Sequence, residues 1–165
     1  MMATIAANDW TYSRKVRDPL LAAAALLMVL QAFAFGRHMS QPTVTLSPWM
    51  ILHLSAVLPA LPLGAVMLWR RKGDQTHRLL GRIWATLMLI AAAASFGIHS
   101  LMGHLSPIHI LSVITLIGIP RAVWDARQGK IARHRRTMTI VYTSLVVAGY
   151  FTLIPTRLIG HFLFG

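Results

Sequence analysis

The sequence of 165 residues contains no cysteine and no glutamate, so its four acidic residues are all aspartate. The lack of cysteine excludes disulfides and thiolate metal sites. The shortage of carboxylates leaves little material for chemistry that requires a carboxylate pair. The sequence also has no Gly-rich phosphate loop, no GxSxG nucleophile elbow and no HExxH zinc motif. These absences disfavour the common nucleophilic, zinc-dependent and phosphate-binding enzyme classes.

The sequence is instead rich in basic and apolar residues. Sixteen Lys and Arg against four acids give a formal net charge of +12, yet 56% of the residues are apolar and the mean hydropathy is +0.60. Such a charge in a small soluble protein would indicate nucleic-acid binding. The apolar fraction, however, exceeds the roughly 45–50% of soluble domains and indicates a chain solvated by lipid.

Five apolar segments are long enough to cross a membrane, which requires about 20 mostly apolar residues. They are apolar all round, unlike the one-sided helices of soluble proteins, and they lack the alternation of membrane β-barrels. The sequence therefore predicts an all-α, polytopic transmembrane helix bundle, with a basic tail at 1–18 and a single domain at 19–165. The predicted spans are about 19–36, 48–69, 83–102, 107–124 and 138–158.

Prolines mark several of the predicted helix starts and one predicted distortion. Pro19, Pro48 and Pro107 suit a first helical turn, where the missing N–H costs nothing. Pro59 and Pro62 lie inside the second span, which we expect them to kink.

Lysine and arginine concentrate on one side of the predicted membrane. Three lie in the N-terminal tail, five between the second and third spans, and six around the turn after the fourth span, which makes fourteen of the sixteen. The positive-inside rule places this side and the N-terminus in the cytoplasm, and the C-terminus outside. We expect this face to contact anionic phospholipid headgroups and not nucleic acid. Trp69, Trp84 and Trp124 are predicted to lie at the same interface.

The first span has an alternative interpretation as a secretory signal peptide. A basic SRKVR segment, an apolar core and the small-residue pattern Ala32-Phe33-Ala34 are typical of such a leader. Cleavage of residues 1–34 would leave four spans with both ends outside.

Three histidines lie inside spans at similar depths below the outer surface. They are His53, His99 and His109. If the second, third and fourth helices pack together, these imidazoles could bind b-type haem or a metal ion, or form a proton path for a transporter. The plainer alternative is that each is hydrogen-bonded to a carbonyl or a headgroup.

Two further histidines suggest an internal repeat. His53 precedes His77-Arg78 by 24 residues, and His109 precedes His134-Arg135 by 25, so helices two-three and four-five resemble two copies of one hairpin. Basic residues near helix starts favour an anion, most simply a lipid phosphate. The candidate anion-binding residues are His77, Arg78, Arg82, His134, Arg135 and Arg157.

Four segments in order, THRLLGRIW (76–84), GHLSPIHILSVITLIGIP (103–120), ARQGKIARHRRTM (126–138) and AGYFTLIPTR (148–157), resemble a family of bacterial predicted membrane proteins, domain of unknown function 2306. The resemblance covers the second helix to the C-terminus. Thr156 stands where the family pattern has glycine. The resemblance implies a polytopic protein of the bacterial inner membrane and no established activity. The matching positions are His77, Arg78, Gly81, Arg82, His109, His134, Met138, Pro155 and Arg157.

Three functions are compatible with these features. The first is a non-enzymatic accessory or lipid-interacting membrane protein, which could associate with itself or with partner subunits. The second is a small membrane redox protein that binds b-type haem or a metal through His53, His99 and His109. The third is a small proton-coupled transporter.

Overall fold

The structure, a computed structural model, describes residues 14–38, 46–98 and 109–153. These ranges contain five helices and no strand, which confirms the predicted all-α bundle. Four of the helices, α1 to α4, are long and apolar enough to span a membrane. The helices are α1 (Arg14–His38), α2 (Pro48–Trp69), α3 (Gln75–Ser95), α4 (His109–Arg127) and α5 (Ile131–Phe151).

Helix α5 is less apolar than the other four in its described residues. It begins at Ile131, seven residues before the predicted span, and Arg133, Arg135 and Arg136 lie in its first six residues. Helix α3 likewise begins at Gln75, eight residues before the predicted position 83. Arginine and lysine have high helix propensity, so the basic segments continue the helices and do not form loops. The predicted end of the fifth span, 154–158, lies outside the described residues.

The predicted first-turn role of proline is confirmed at one position and wrong at another. Pro48 is the first residue of α2, after Ser47, whose hydroxyl accepts a hydrogen bond from the Met50 N–H at 3.2 Å. Pro19 instead lies in the second turn of α1, because that helix begins at Arg14. Pro107 lies outside the described residues.

The helices form two hairpins joined by short turns, 70–74 between α2 and α3 and 128–130 between α4 and α5. Gly73 (φ 87°) and Gly129 (φ 73°) adopt the left-handed conformation that these turns require. Helix α3 packs between α2 and α4, whereas α1 packs against α2 and α5. His109, which begins α4, contacts Ser95, which ends α3, so α3 and α4 are antiparallel and both turns lie at the same end of the bundle.

Three residues from three helices pack closely in a region that we name the seam: Gly64 of α2, Trp84 of α3 and Tyr142 of α5. A Cβ atom at residue 64 would overlap the Tyr142 ring, so glycine allows this close approach. The Trp84 indole N–H donates to the Ala60 carbonyl at 2.9 Å, and the Tyr142 hydroxyl donates to the Leu61 carbonyl at 3.1 Å. The two rings are 6.4 Å apart and tilted by 52°. The seam therefore joins three helices through a single glycine.

Helix α2 continues through Pro59 and Pro62 without ending. The two carbonyls between these prolines, at residues 60 and 61, accept the side-chain hydrogen bonds of the seam.

The predicted interfacial position of Trp84 is wrong. Its side chain is only 5% exposed because it packs in the seam, nine residues into α3. Trp69 and Trp124 are 73% and 60% exposed near the ends of α2 and α4, as the predicted aromatic belt requires.

Helix α1 is attached to α5 by two contacts. The Leu27 side chain is fully buried and lies where a Cβ on Gly149 would overlap it. The Tyr150 hydroxyl donates to the Ala23 carbonyl at 2.8 Å. Both contacts lie far from the turns, whereas Arg17, in the first turn of α1, lies near Lys72 of the 70–74 turn.

Candidate functional site

The start of α1 and both turns meet at one end of the bundle, which we name the basic end. Arg17 of α1 lies close enough to Lys72 for their charges to repel. Fourteen of the sixteen lysines and arginines belong to this end. They are Arg14, Lys15, Arg17, Arg70, Arg71, Lys72, Arg78, Arg82, Arg121, Arg127, Lys130, Arg133, Arg135 and Arg136.

Few of these charges are neutralised by aspartate. Between described residues, the ion pairs are Arg17 with Asp18 at 2.8 Å and Arg70 with Asp74 at 2.9 Å. The third described aspartate, Asp125, is buried near the end of α4. The basic end therefore retains a large excess of positive charge.

Asp74 organises the turn between α2 and α3. Its carboxylate caps α3 by accepting a hydrogen bond from the His77 backbone N–H at 2.6 Å, and it also accepts one from Arg70. The backbone hydrogen bond from His77, assisted by the Arg70 guanidinium, holds the pKa of Asp74 below its usual value. Asp74 is therefore ionised at neutral pH, and its charge is compensated within the turn.

Lys72 stabilises the α2 side of the same turn. Its ammonium donates to the Leu68 carbonyl at 2.9 Å and the Arg70 carbonyl at 2.6 Å, so it caps the end of α2. Burial lowers the pKa of Lys72, and repulsion from Arg17 and Arg70 lowers it further.

Five of the six candidate anion-binding residues lie near the start of α3 or α5 and not in the connections before these helices. They are His77, Arg78, Arg82, His134 and Arg135. Arg157 lies outside the described residues.

The second histidines of the two hairpins, His77 and His134, both lie near a helix start at the basic end. His134 Nδ1–H donates to the Ala122 carbonyl of α4 at 2.9 Å. His77 Nδ1 and Arg70 Nε are buried and have no hydrogen-bond partner among the described residues. Of the second histidines of the two hairpins, only His134 thus bonds to a neighbouring helix among the described residues.

A shallow groove of about 380 Å³ runs between α3 and α4 at the basic end. Its polar part consists of Arg82, Thr86 and Arg127. Its apolar part includes Leu89 and Val123, with the exposed Trp124 alongside. The groove therefore combines two guanidinium groups with an apolar surface.

At the opposite end, the described candidate histidines bond to α3 separately. His53 Nδ1–H donates to the Ala91 carbonyl at 2.8 Å, and His109 Nε2–H donates to the Ser95 carbonyl at 3.2 Å. The two carbonyls are one helical turn apart, so the predicted similarity in depth agrees with the structure. His99 lies outside the described residues.

These hydrogen bonds match the plainer of the sequence-based interpretations. Helices α2 and α4, which carry His53 and His109, flank α3 without contacting each other in the described residues. Within the same ranges, no three histidine or aspartate side chains are placed to share a metal ion.

Sequence reasoning did not identify Asp74, Thr86 or the seam as important. Asp74 had a usable signal, because an aspartate directly before a helix is a preferred N-cap. The importance of Gly64 had no local signal, because it depends on rings contributed by two distant helices.

Comparison with protein families identifies a family for this chain. The model of the family described as predicted membrane protein (DUF2306) matches residues 50–164, more than two thirds of the chain. No curated protein and no solved structure matches the chain. The matched region contains the seam, both turns and the groove, whereas α1 lies outside it. With its long apolar helices, the chain is a multi-pass membrane protein that belongs to the DUF2306 family.

Proposed function

We propose that the chain is a non-enzymatic accessory protein of the bacterial inner membrane, whose basic end lies in the cytoplasm and binds anionic phospholipid headgroups. The observation that supports this proposal is the position of fourteen of sixteen lysines and arginines at one end of an apolar bundle. The N-terminus is then cytoplasmic and the C-terminus lies outside.

The strength of such an interaction follows from the number of charges near the surface. Each lysine or arginine next to an anionic membrane surface contributes about 1 kcal/mol. Among the described residues, only Arg17 and Arg70 pair with an aspartate. Most of the positive charge of the basic end therefore remains for headgroups. The exposed Trp69 and Trp124 lie at the same end and suit the boundary between headgroups and acyl chains.

Lipid selection by the purified protein tests this proposal. The protein, extracted in mild detergent, is mixed with equal amounts of phosphatidylglycerol and phosphatidylethanolamine, and the lipids retained are counted by native mass spectrometry. We expect several-fold enrichment of phosphatidylglycerol, and a smaller enrichment as the ionic strength during mixing is raised. Equal retention of the two lipids at low salt would contradict the proposal.

A second candidate function is supported by the hydrogen bond of His53. Since its Nδ1–H donates to the Ala91 carbonyl, the imidazole is oriented and Nε2 carries the lone pair. Histidines that bind haem or metal are oriented by such hydrogen bonds. We propose b-type haem binding at the end of the bundle opposite the basic end as the alternative function, with His53 as an iron ligand.

The visible spectrum of protein expressed with ample haem tests this alternative. We expect a Soret band that disappears in His53→Ala and persists in His77→Ala, a control at the basic end. Colourless wild-type protein would eliminate the haem proposal and leave the lipid proposal unaffected.

A further inference from the structure

We infer that the groove between α3 and α4 is a binding site for one anionic glycerophospholipid, whose phosphate lies between Arg82 and Arg127 and whose acyl chain follows Leu89 and Val123. This inference rests on the proposed function, since it requires the basic end to face headgroups. It goes further by assigning a specific site, in addition to the general attraction of the basic end.

The polar part of the groove has the groups that a phosphate diester requires. Arg82 and Arg127 are exposed, and neither guanidinium makes an ion pair or hydrogen bond to the described residues. A guanidinium can bind phosphate through two parallel hydrogen bonds, which makes arginine well suited to this group. Two arginines from different helices would hold the phosphate from both sides.

Thr86 adds a neutral donor to the same surface. It follows Arg82 by four residues on α3, so both side chains project from one face of the helix. The described Thr115 and Thr139 donate to carbonyls four residues earlier on their own helices. The Thr86 hydroxyl, in contrast, has no partner in the described part of the chain. It can therefore donate to a phosphate or glycerol ester oxygen.

The apolar part of the groove continues in the direction that an acyl chain would take. Leu89 lies seven residues beyond Arg82, about 10 Å further from the basic end along α3. Val123 lines the groove from α4, with Ile119 buried beneath it. The volume of about 380 Å³ lies within the roughly 300–1,000 Å³ of ligand pockets. Charge and hydrophobicity are thus arranged as in a phospholipid.

The same arrangement disfavours other occupants. A soluble anion would leave the apolar half of the groove unused. A zwitterionic lipid would bring its ammonium group close to two arginines, where like charges repel. The groove therefore selects for a net negative headgroup attached to an acyl chain.

Two charge-matched double variants provide the test. Arg82→Gln with Arg127→Gln removes both guanidiniums from the groove. Arg71→Gln with Arg133→Gln removes two exposed charges from the same end but outside the groove. Phosphatidylglycerol is titrated into detergent-solubilised wild-type and variant protein, and the first bound lipid is quantified by native mass spectrometry.

We expect the groove variant to weaken binding of the first phosphatidylglycerol at least about tenfold, because charge-assisted hydrogen bonds are lost. The control variant should change it by less than about threefold. Thr86→Val, which keeps the shape and both arginines, should have an intermediate effect. Thermal unfolding of each variant in lipid-free detergent verifies that the fold is retained.

The outcomes separate this inference from the proposed function. Equal weakening in both double variants, or no weakening in either, would overturn the groove as a site. Competition by inorganic phosphate as effective as that by phosphatidylglycerol would overturn the role of the acyl chain. If wild-type protein shows no preference for phosphatidylglycerol over phosphatidylethanolamine, the proposed function itself fails.

Discussion

The seam and the basic end differ in where their polar groups find partners. In the seam, the Trp84 N–H and the Tyr142 hydroxyl both bond to carbonyls of α2. At the basic end, most guanidiniums make no bond to described residues, and His77 Nδ1 is buried without a partner among them. Interactions completed within the chain contribute to stability. Groups left without partners in the chain are suited to bind the membrane. Substitutions in the seam should therefore lower stability and leave lipid binding unchanged. Substitutions of the unpaired arginines should weaken lipid binding and leave stability nearly unchanged.

The largest stability loss is expected for Gly64→Ala in the seam. The added methyl group would overlap the buried Tyr142 ring and lie 2.9 Å from Trp84 Nε1, which should cost about 2–3 kcal/mol through overpacking. The measurement is unfolding in detergent, monitored by circular dichroism.

Gly81→Ala is the matched control for this substitution. Its added Cβ would lie 3.5 Å from Met67 Cε, which is ordinary contact. It should leave stability unchanged or raise it by up to about 1 kcal/mol, since alanine favours the helix. Equal losses in the two variants would show that the seam is no more tightly packed than the surface of α3.

A smaller loss is expected for Tyr142→Phe. The substitution keeps the ring and removes the hydrogen bond to the Leu61 carbonyl. Side-chain hydrogen bonds between membrane helices contribute about 0.6 kcal/mol on average and up to about 1.7. The same unfolding measurement should show a loss near 1 kcal/mol, with unchanged lipid binding. A loss of phosphatidylglycerol retention would contradict the separation of the two regions.

Asp74 belongs to the basic end but has its partners inside the chain. Asp74→Ala removes the cap of α3 and should lower the unfolding temperature by about 2 °C. Asp74→Asn keeps a capping oxygen and should retain most of the stability.

The pH dependence of this contribution has a defined sign. The pKa of Asp74 is lowered on folding, so its stabilisation is fully present above the unfolded pKa of about 3.9 and is lost as pH falls through the lower folded value. The stability difference between wild type and Asp74→Asn should therefore be constant from pH 7 to 5 and shrink below about pH 4. A difference that shrinks between pH 7 and 5 would contradict this assignment.

The smallest stability change is expected for Arg71→Gln with Arg133→Gln. Both side chains are exposed and have no ion pair with described residues, so stability should change by no more than about 0.5 kcal/mol. A loss above 1 kcal/mol in unfolding experiments would mean that the basic end also stabilises the bundle.

The helices themselves were predictable because apolar runs of this length have few other structures available to them. The helix starts were not, because arginine and lysine continue a helix as readily as they form a charged loop. Helices α3 and α5 therefore begin seven or eight residues earlier than the apolar pattern indicates.

The candidate sites were predictable in position and less so in their contacts. The similar depth of His53 and His109 follows from counting residues along helices. Their partners, the carbonyls of Ala91 and Ser95, carry no side-chain signal in the sequence. Trp84 was assigned to the interface because tryptophan is common there, whereas its burial depends on the space left by Gly64 on another helix.

Cysteine accessibility in intact cells tests most directly whether the basic end lies in the cytoplasm. Because the sequence holds no cysteine, Lys130→Cys in the turn between α4 and α5 and Leu46→Cys before α2 each introduce a single thiol. With a membrane-impermeant maleimide, Leu46→Cys should be labelled in intact cells and Lys130→Cys only after the inner membrane is permeabilised. Labelling of Lys130→Cys, but not of Leu46→Cys, in intact cells would place the basic end outside and contradict the account.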